Sequence, residues 1–258
     1  HVGDDVTVIL ITGSEGLLGG AICEELEKDS TLIVRSIPRN KLDVCNAEQI
    51  QDAISTYRPC IIVNCAAFTN VDRAEIERDE AFRTNVLGAQ LLAEQAAQFR
   101  AFLIHISTDM VFDSSLEDRT ESSLPVPVNW YGETKLRGEE ALAKIPHLEY
   151  LIVRTAGLYD LKARRGFPAR IMEYIQKTGN PVRMSTKAIG CPTAAEDLAE
   201  GIYRVLHYIK LNGMLFPEDR LLHVAGPPMS WVKMARMIFA TVYKRNEEDV
   251  ETLCVETD

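Results

Sequence analysis

Short apolar runs alternate with longer amphipathic stretches along most of the chain. Val6–Thr12, Thr31–Arg35, Cys60–Cys65, Phe102–Ser107 and Leu151–Thr155 are apolar runs of strand length. Between them Leu17–Lys28, Ala47–Tyr57, Asp79–Phe99 and Tyr131–Ala143 read as helices. In Ala47–Tyr57 the residues Ile50, Ala53, Ile54 and Tyr57 fall at the spacing of one helix face. Strands this apolar are buried on both faces. Their alternation with helices predicts an α/β fold, a doubly wound parallel sheet of Rossmann type. In such a sheet ligands collect beyond the carboxyl ends of the strands. From about Phe167 the segments shorten and prolines punctuate them, at Asn180-Pro181, Cys191-Pro192, Phe216-Pro217 and Pro227-Pro228. Two helices remain clear there, Ala195–Lys210 and Trp231–Tyr243. The reading is a cofactor domain over 1–165 and a smaller, partly interwoven C-terminal substrate lobe over 166–258.

Composition narrows the function. Of 258 residues, 46% are hydrophobic and 26% charged, the balance of a globular protein rather than a fibrous or disordered one. No apolar run approaches the roughly 18 residues that span a bilayer. The net charge of −10, with no dense Lys/Arg run, argues against nucleic acid and against anionic membranes as partners. Cys23, Cys45, Cys60, Cys65, Cys191 and Cys254 are dispersed with no CxxC pair. They read as reduced thiols of a cytoplasmic protein, and no metal site is assigned. The chain opens on His1 rather than Met. Its first residues are set aside from the fold reading, and no signal peptide is read in it. The acidic clusters Glu24-Glu25 and Glu247-Glu248-Asp249 read as solvated faces, Trp130 as rim packing and Trp231 as core of the small lobe.

Three stretches carry chemistry. Thr12-Gly13-Ser14-Glu15-Gly16-Leu17-Leu18-Gly19 closes the first strand and opens the first helix. Gly13 permits the turn, Gly16 lets the backbone approach a diphosphate, and Gly19 lets helix and strand pack closely. Free amides at the helix start then face the phosphates. Tyr131 and Lys135 lie four apart in the second stretch, on one helix face. An ammonium beside a phenol lowers its pKa and makes it a usable general acid near neutral pH. The third is His105-Ile106-Ser107-Thr108-Asp109, closing the fourth strand. A hydroxyl there points into the crevice and can hydrogen-bond a substrate carbonyl, while His105 reads as a packing histidine.

In chain order, glycine loop, strand-four hydroxyl and then Tyr131 with Lys135, the three stretches resemble the extended short-chain dehydrogenase/reductase superfamily, and within it the dTDP-4-dehydrorhamnose reductase family. The resemblance runs from about Val8 to Leu206. It is carried by Asn64–Glu75, Ser107–Phe112 and Trp130–Glu139, with support from Arg154–Tyr159 and Gly190–Ala199. It implies hydride transfer from a reduced nicotinamide to C4 of a nucleotide-linked keto-sugar. Tyr131 would donate the proton, Lys135 would hold the nicotinamide ribose and tune Tyr131, and Thr108 would bond both substrate and Tyr131. Gly16, Leu17 and Leu18 match the diphosphate loop, and Asp43 and Val44 the adenine contact. Ala66, Ala67 and Phe68 match the cofactor contact at the end of the third strand. Thr69, Thr108, Asp109 and Gly157 match substrate positions.

The second strand ends Arg35-Ser36-Ile37-Pro38-Arg39, without the acid that NAD prefers. Arg35 or Arg39 can meet a 2′-phosphate, so the reading leans to NADP(H) and leaves NAD(H) open. Met110 stands where the family usually has an aromatic and Gly157 where it often has Trp, which leaves the exact sugar open. The family continues for some tens of residues past the position of Asp258, so the resemblance implies a substrate lobe truncated there. Two other activities stay beside the reductase. The β subunit of methionine adenosyltransferase is similar at Leu17-Leu18-Gly19 and Ala101–Ile104, which implies a regulator that holds cofactor without turnover. An epimerase or dehydratase of the superfamily would use Asp109. The pattern Thr69–Glu75 and Thr108 favour the reductase. A homodimer, or a catalytic partner subunit, is the assembly that the resemblance implies.

Overall fold

The computed structural model describes residues 7–113, 118–160, 165–212, 220–243 and 254–257. The first half follows the alternation read from the sequence. Its elements are β1 (Thr7–Thr12), α1 (Leu17–Leu26), β2 (Leu32–Ser36), α2 (Ala47–Tyr57), β3 (Ile61–Asn64), α3 (Val71–Ile76), α4 (Arg78–Phe82), α5 (Ala89–Phe99), β4 (Phe102–Thr108), α6 (Trp130–Ala143) and β5 (Tyr150–Thr155). Then come β6 (Leu158–Tyr159), α7 (Phe167–Thr178), β7 (Val182–Ser185), β8 (Ile189–Gly190), β9 (Thr193–Ala194), α8 (Ala195–Asn212), β10 (Leu221–His223), β11 (Met229–Ser230), α9 (Trp231–Tyr243) and β12 (Cys254–Thr257).

Six strands form the central sheet in the order β10-β5-β4-β3-β1-β2, and every pairing is parallel. The chain starts at β1, steps out to β2 and then returns to β3 on the other side. The crevice between β1 and β3 is therefore the switch point where such sheets bind ligands. One face buries Leu10, Ile62, Leu103 and Ile152 against Ile50 and Ile54 of α2, Leu92 and Ala96 of α5, and Leu142 of α6. The alternate strand residues Ile9, Ile11, Val63 and Ile104 are also fully buried, as the period of two requires of a sheet covered on both sides.

The chain forms two compact units, His1–Thr155 with Ala199–Val224, and Ala156–Leu198 with Ala225–Asp258. The sequence reading drew a single boundary after residue 165. The structure differs because α8 and the short β10 return to the first unit, where β10 pairs with β5. Three residues are too few for a periodicity to reveal that strand. In the second unit a small core gathers Ile171, Met184, Val232, Ala235 and Phe239, with Phe167 and Trp231 in edge contact at 4.5 Å between centroids. Trp231 thus packs where expected. Phe216-Pro217 and Glu247-Glu248-Asp249 lie outside the described residues.

The helix expected over Asp79–Phe99 is three pieces. α4 and α5 are joined by a π-helical turn over Arg83–Gly88. Such turns re-aim side chains and recur at functional sites. Here the turn faces α6. Gly138 of α6 sits so close that a Cβ built on it would lie 2.4 Å from the Asn85 carbonyl oxygen. We therefore expect Gly138→Ala to push α6 away from this turn and to destabilise the fold by about 1–3 kcal/mol, the usual cost of overpacking. A urea midpoint equal to that of the parent chain would contradict the close approach.

Candidate active site

The glycine loop between β1 and α1 forms a cradle. Gly13 has φ +64°, and a Cβ there would lie 2.7 Å from the Ala66 backbone nitrogen. A Cβ on Gly19 would lie 2.3 Å from the Gly13 carbonyl oxygen. Both contacts are with backbone, so neither position accepts a side chain without displacement. The residue capping α1 is Gly16, which has no side chain to bond the first turn of that helix. Its amides and dipole are left for an anion. The expected diphosphate residues Gly13, Gly16, Leu17, Leu18 and Gly19 lie together in this turn and the first turn of α1.

A second group gathers at the ends of β4 and β3. The Thr108 side chain lies beside the Tyr131 phenol and favours its charged form. Its hydroxyl donates to Asp109 Oδ1 at 3.2 Å and accepts from the Met110 amide at 3.2 Å. Desolvation, and next the field of Asp109, push the Tyr131 phenol up to about 12, against the pull of Thr108. This corrects the sequence reading, in which Lys135 lowers the phenol. The Lys135 amine instead donates to the Ile106 carbonyl oxygen at 2.6 Å. Tyr131 consequently stays protonated through the neutral range, which is the state a proton donor needs. Asp109 is raised as well, by partial desolvation.

Lys135 is 2% exposed, and burial drives its ammonium down to about 8, with Glu139 opposing. The amine faces His105 Nε2 at 3.5 Å. Behind it the Asn64 side-chain amide bonds His105 Nδ1 at 3.1 Å, and Thr12 Oγ1 donates to Asn64 Oδ1 at 2.7 Å. The Ala66 amide donates to the same oxygen at 3.2 Å. Thr12, Asn64, His105 and Lys135 are all buried. Sequence reasoning had treated His105 as a packing residue. It is buried as expected, and it also belongs to this polar chain.

Two clamps hold α6 in place. Asn85, on the π-helical turn, accepts from the Phe68 amide at 2.8 Å and donates to the Phe68 carbonyl at 3.1 Å and to Thr134 Oγ1 at 3.0 Å. Arg154 of β5 grips Glu139 of α6 with Nε and Nη2, the shortest contact being 2.6 Å, and the Ser107 hydroxyl donates to the same carboxylate. Both charged side chains are 6% exposed. Removing one partner of a pair so buried costs about 3–5 kcal/mol. Asn64, Asn85 and Glu139 were missed in the sequence. The only available signals were a polar residue inside an apolar strand, and a carboxylate one helical turn beyond Lys135.

The remaining expected residues spread more widely. Val44 is buried, while Asp43 accepts from the Cys45 amide at 2.9 Å and lies 3.9 Å from Arg83. Arg35 is exposed, its guanidinium 5.7 Å from the Tyr57 ring centroid. Arg39 pairs with Glu80 at 3.6 Å. Ala67 and Phe68 are half-buried beyond β3, and Thr69 is exposed. Gly157 lies in the second unit, where a Cβ on it would stand 3.5 Å from Trp231. Trp130 is half-buried, with its indole donating to the Arg78 carbonyl at 3.0 Å and the Arg78 guanidinium 3.9 Å from its ring centroid. Among the described residues no group of three His, Cys, Asp or Glu is placed to hold a metal ion.

The Lys135 shift fixes a pH dependence of stability. The unfolded chain keeps this proton up to the ordinary value of 10.5, the folded chain only up to about 8. Between these values the unfolded state binds more protons, so stability rises with pH, and it is lost as pH falls back through the window. We expect the unliganded parent chain to gain about 2–3 kcal/mol relative to Lys135→Met between pH 8 and pH 10.5, at 1.36 kcal/mol per unit. Urea midpoints of both chains across this range measure it, and parallel curves would contradict the burial of a titrating amine.

Comparison with known proteins places this geometry. The profile of the RmlD substrate binding domain matches residues 7–256. A dTDP-4-dehydrorhamnose reductase from Aggregatibacter actinomycetemcomitans is 30% identical over 233 residues, 90% of this chain and 78% of that one. The methionine adenosyltransferase 2 subunit beta of Rattus norvegicus is 37% identical over 199 residues, 74% of this chain and 59% of that one. The crystal structure of dTDP-4-dehydrorhamnose reductase from Bacillus anthracis in complex with NADP superposes with a TM-score of 0.82 at 32% identity, covering 97% of this chain and 85% of that one. With a parallel six-stranded sheet, a glycine cradle at its switch point and the Thr108–Tyr131–Lys135 group beside it, the chain belongs to the RmlD substrate-binding-domain family.

Proposed function

We propose that this chain is an NADP(H)-dependent reductase of a nucleotide-linked 4-keto-6-deoxy sugar, of the dTDP-4-dehydrorhamnose type. The observation that carries the reading is the seating of one helix on β4, which buries Lys135 against the Ile106 carbonyl and sets the protonated Tyr131 phenol beside Thr108. A ketone reduced by hydride needs one proton at its oxygen, and a positioned acid supplies it. The bound nicotinamide would supply the hydride. Tyr131 gives its proton to the nascent alkoxide, and Thr108, beside that phenol, orients the carbonyl. Lys135, four residues on, takes the cofactor ribose. Asp109 and Thr69 line the approach of the sugar. The dTDP-sugar reductases among the relatives, and the NADP complex among the solved structures, support this assignment.

The 37% identity with the methionine adenosyltransferase 2 subunit beta of Rattus norvegicus favours one second reading, a chain that binds the cofactor at the same cradle without turning it over. A cytoplasmic setting is supported by the five described cysteines, all free thiols. No helix among the described residues is long and apolar enough to cross a membrane. Assembly as a homodimer, or on a catalytic subunit, is supported by the resemblance alone.

Two outcomes test the reductase. NADPH oxidation with a dTDP-4-keto-6-deoxyhexose should fall by about 10²–10⁴-fold in Tyr131→Phe while NADPH affinity is kept, since the phenol acts as the acid. Cofactor binding without any oxidation by the parent chain would favour the regulator. NADPH should be preferred to NADH, and Arg35→Ala should erode that preference by about 10-fold, the worth of one contact to a charged group. An unchanged preference would remove Arg35 from the 2′-phosphate site.

A further inference from the structure

The hydrogen bonds behind Lys135 fix the protonation state of His105. The Ala66 backbone amide can only donate, and it donates to Asn64 Oδ1 at 3.2 Å. That identifies the amide oxygen, so Thr12 Oγ1 donates to it too. The other end of the Asn64 side chain is then the NH₂ group, which can only donate, and it points at His105 Nδ1 from 3.1 Å. His105 Nδ1 must accept and therefore carries no proton. The imidazole is 1% exposed and faces the Lys135 amine, which together hold its pKa well below the ordinary value. It is neutral, and its one proton sits on Nε2. That N–H is aimed at Lys135 Nζ, 3.5 Å away.

The consequence falls on the lysine. An ammonium has three donors and no lone pair. Facing an N–H, it presents donor to donor, whereas the neutral amine can accept. We propose that His105 is a positioning residue for Lys135: Asn64 sets its Nε2–H tautomer, so that an N–H donor and not an acceptor faces the lysine amine. The proposal rests on the reading of Lys135 as part of the reductase site, and it adds how that amine is made titratable there. The other groups around the amine are accounted for. Glu139, on the same helix, raises the lysine but is itself gripped by Arg154 and Ser107. The Cys65 thiol is pushed up to about 12 and stays neutral. Tyr131 stays protonated, and Asp109 is bonded by the Thr108 hydroxyl and is not among the groups that shift Lys135. His105 is the remaining group of the set, and the only one whose tautomer reaches back through Asn64 to Ala66, beside the cofactor cradle.

The tautomer is read directly by long-range ¹H–¹⁵N correlation on histidine-labelled, unliganded parent chain, with the His105 signals assigned by their absence from His105→Gln. Nδ1 should be unprotonated and Nε2 protonated from pH 6 to pH 8. A proton on Nδ1, or an imidazolium, overturns the proposal. The second arm is the Lys135 titration, read from the pH at which parent and Lys135→Met stabilities diverge. In a His105→Gln background the side-chain amide can turn its oxygen to the ammonium. The divergence should then move up by about one pH unit, in line with a hydrogen bond to the charged form. A merely structural role for His105 lowers stability without moving that pH, and an unmoved value overturns the proposal. Neither arm uses turnover, so failure of the reductase assay and failure of this inference are distinct results. The first arm reads the parent chain, and where His105→Gln fails to fold the His105 signals are assigned by elimination, with variants of His1, His147, His207 and His223.

Discussion

A primary ammonium in a protein interior is costly, and much of the polar interior of the first unit is arranged around one. Lys135 projects from α6 onto β4, where it meets a backbone carbonyl and an imidazole instead of water. Its burial demands that α6 lie flat against the sheet. The small Gly132 and Gly138 allow that approach, and the Asn85 and Glu139–Arg154 clamps hold it. The same seating brings Tyr131 to Thr108. Tyr131, Thr108 and the Lys135 amine are thus brought together by a single packing requirement.

Electrostatics then divides the labour between two groups on one helix. Desolvation opposes charge on both side chains. It lifts the phenol to about 12 and drops the ammonium to about 8. The phenol is kept loaded with its proton, and the lysine is brought close to its own titration. A pair whose environment pushes the two groups in opposite directions is what acid–base chemistry at neutral pH asks for. The glycine cradle stands at the neighbouring strand end, and Asn64 and Ala66 link the two regions by hydrogen bonds.

What could be read in the chain was what periodicity and spacing encode. Ala47–Tyr57 and Trp231–Tyr243 are helices at the expected bounds, and the strand–helix alternation gave the parallel sheet. The turn at Gly13 and the placing of Tyr131 and Lys135 on one helix were legible because both depend on local spacing. Asn64, Asn85 and Glu139 were not, because each acts on a partner far along the chain, 41, 49 and 15 residues away. The π-helical turn over Arg83–Gly88 was hidden because its sequence also suits an unbroken α-helix. The Tyr131 pKa was misjudged in sign. The four-residue spacing sets two side chains on one face, but it does not tell which atom the ammonium bonds.

The central claim is that this group of residues delivers a hydride and a proton to the carbonyl of a nucleotide-linked keto-sugar. The most direct measurement is isotopic. NADPH carrying deuterium at its transferable position is incubated with the chain and a dTDP-4-keto-6-deoxyhexose, and the recovered sugar is examined by mass and NMR. The account predicts a reduced sugar with one deuterium bound to C4 and oxidised cofactor in equal amount. Unlabelled, unreduced sugar recovered beside tightly bound NADPH would contradict it.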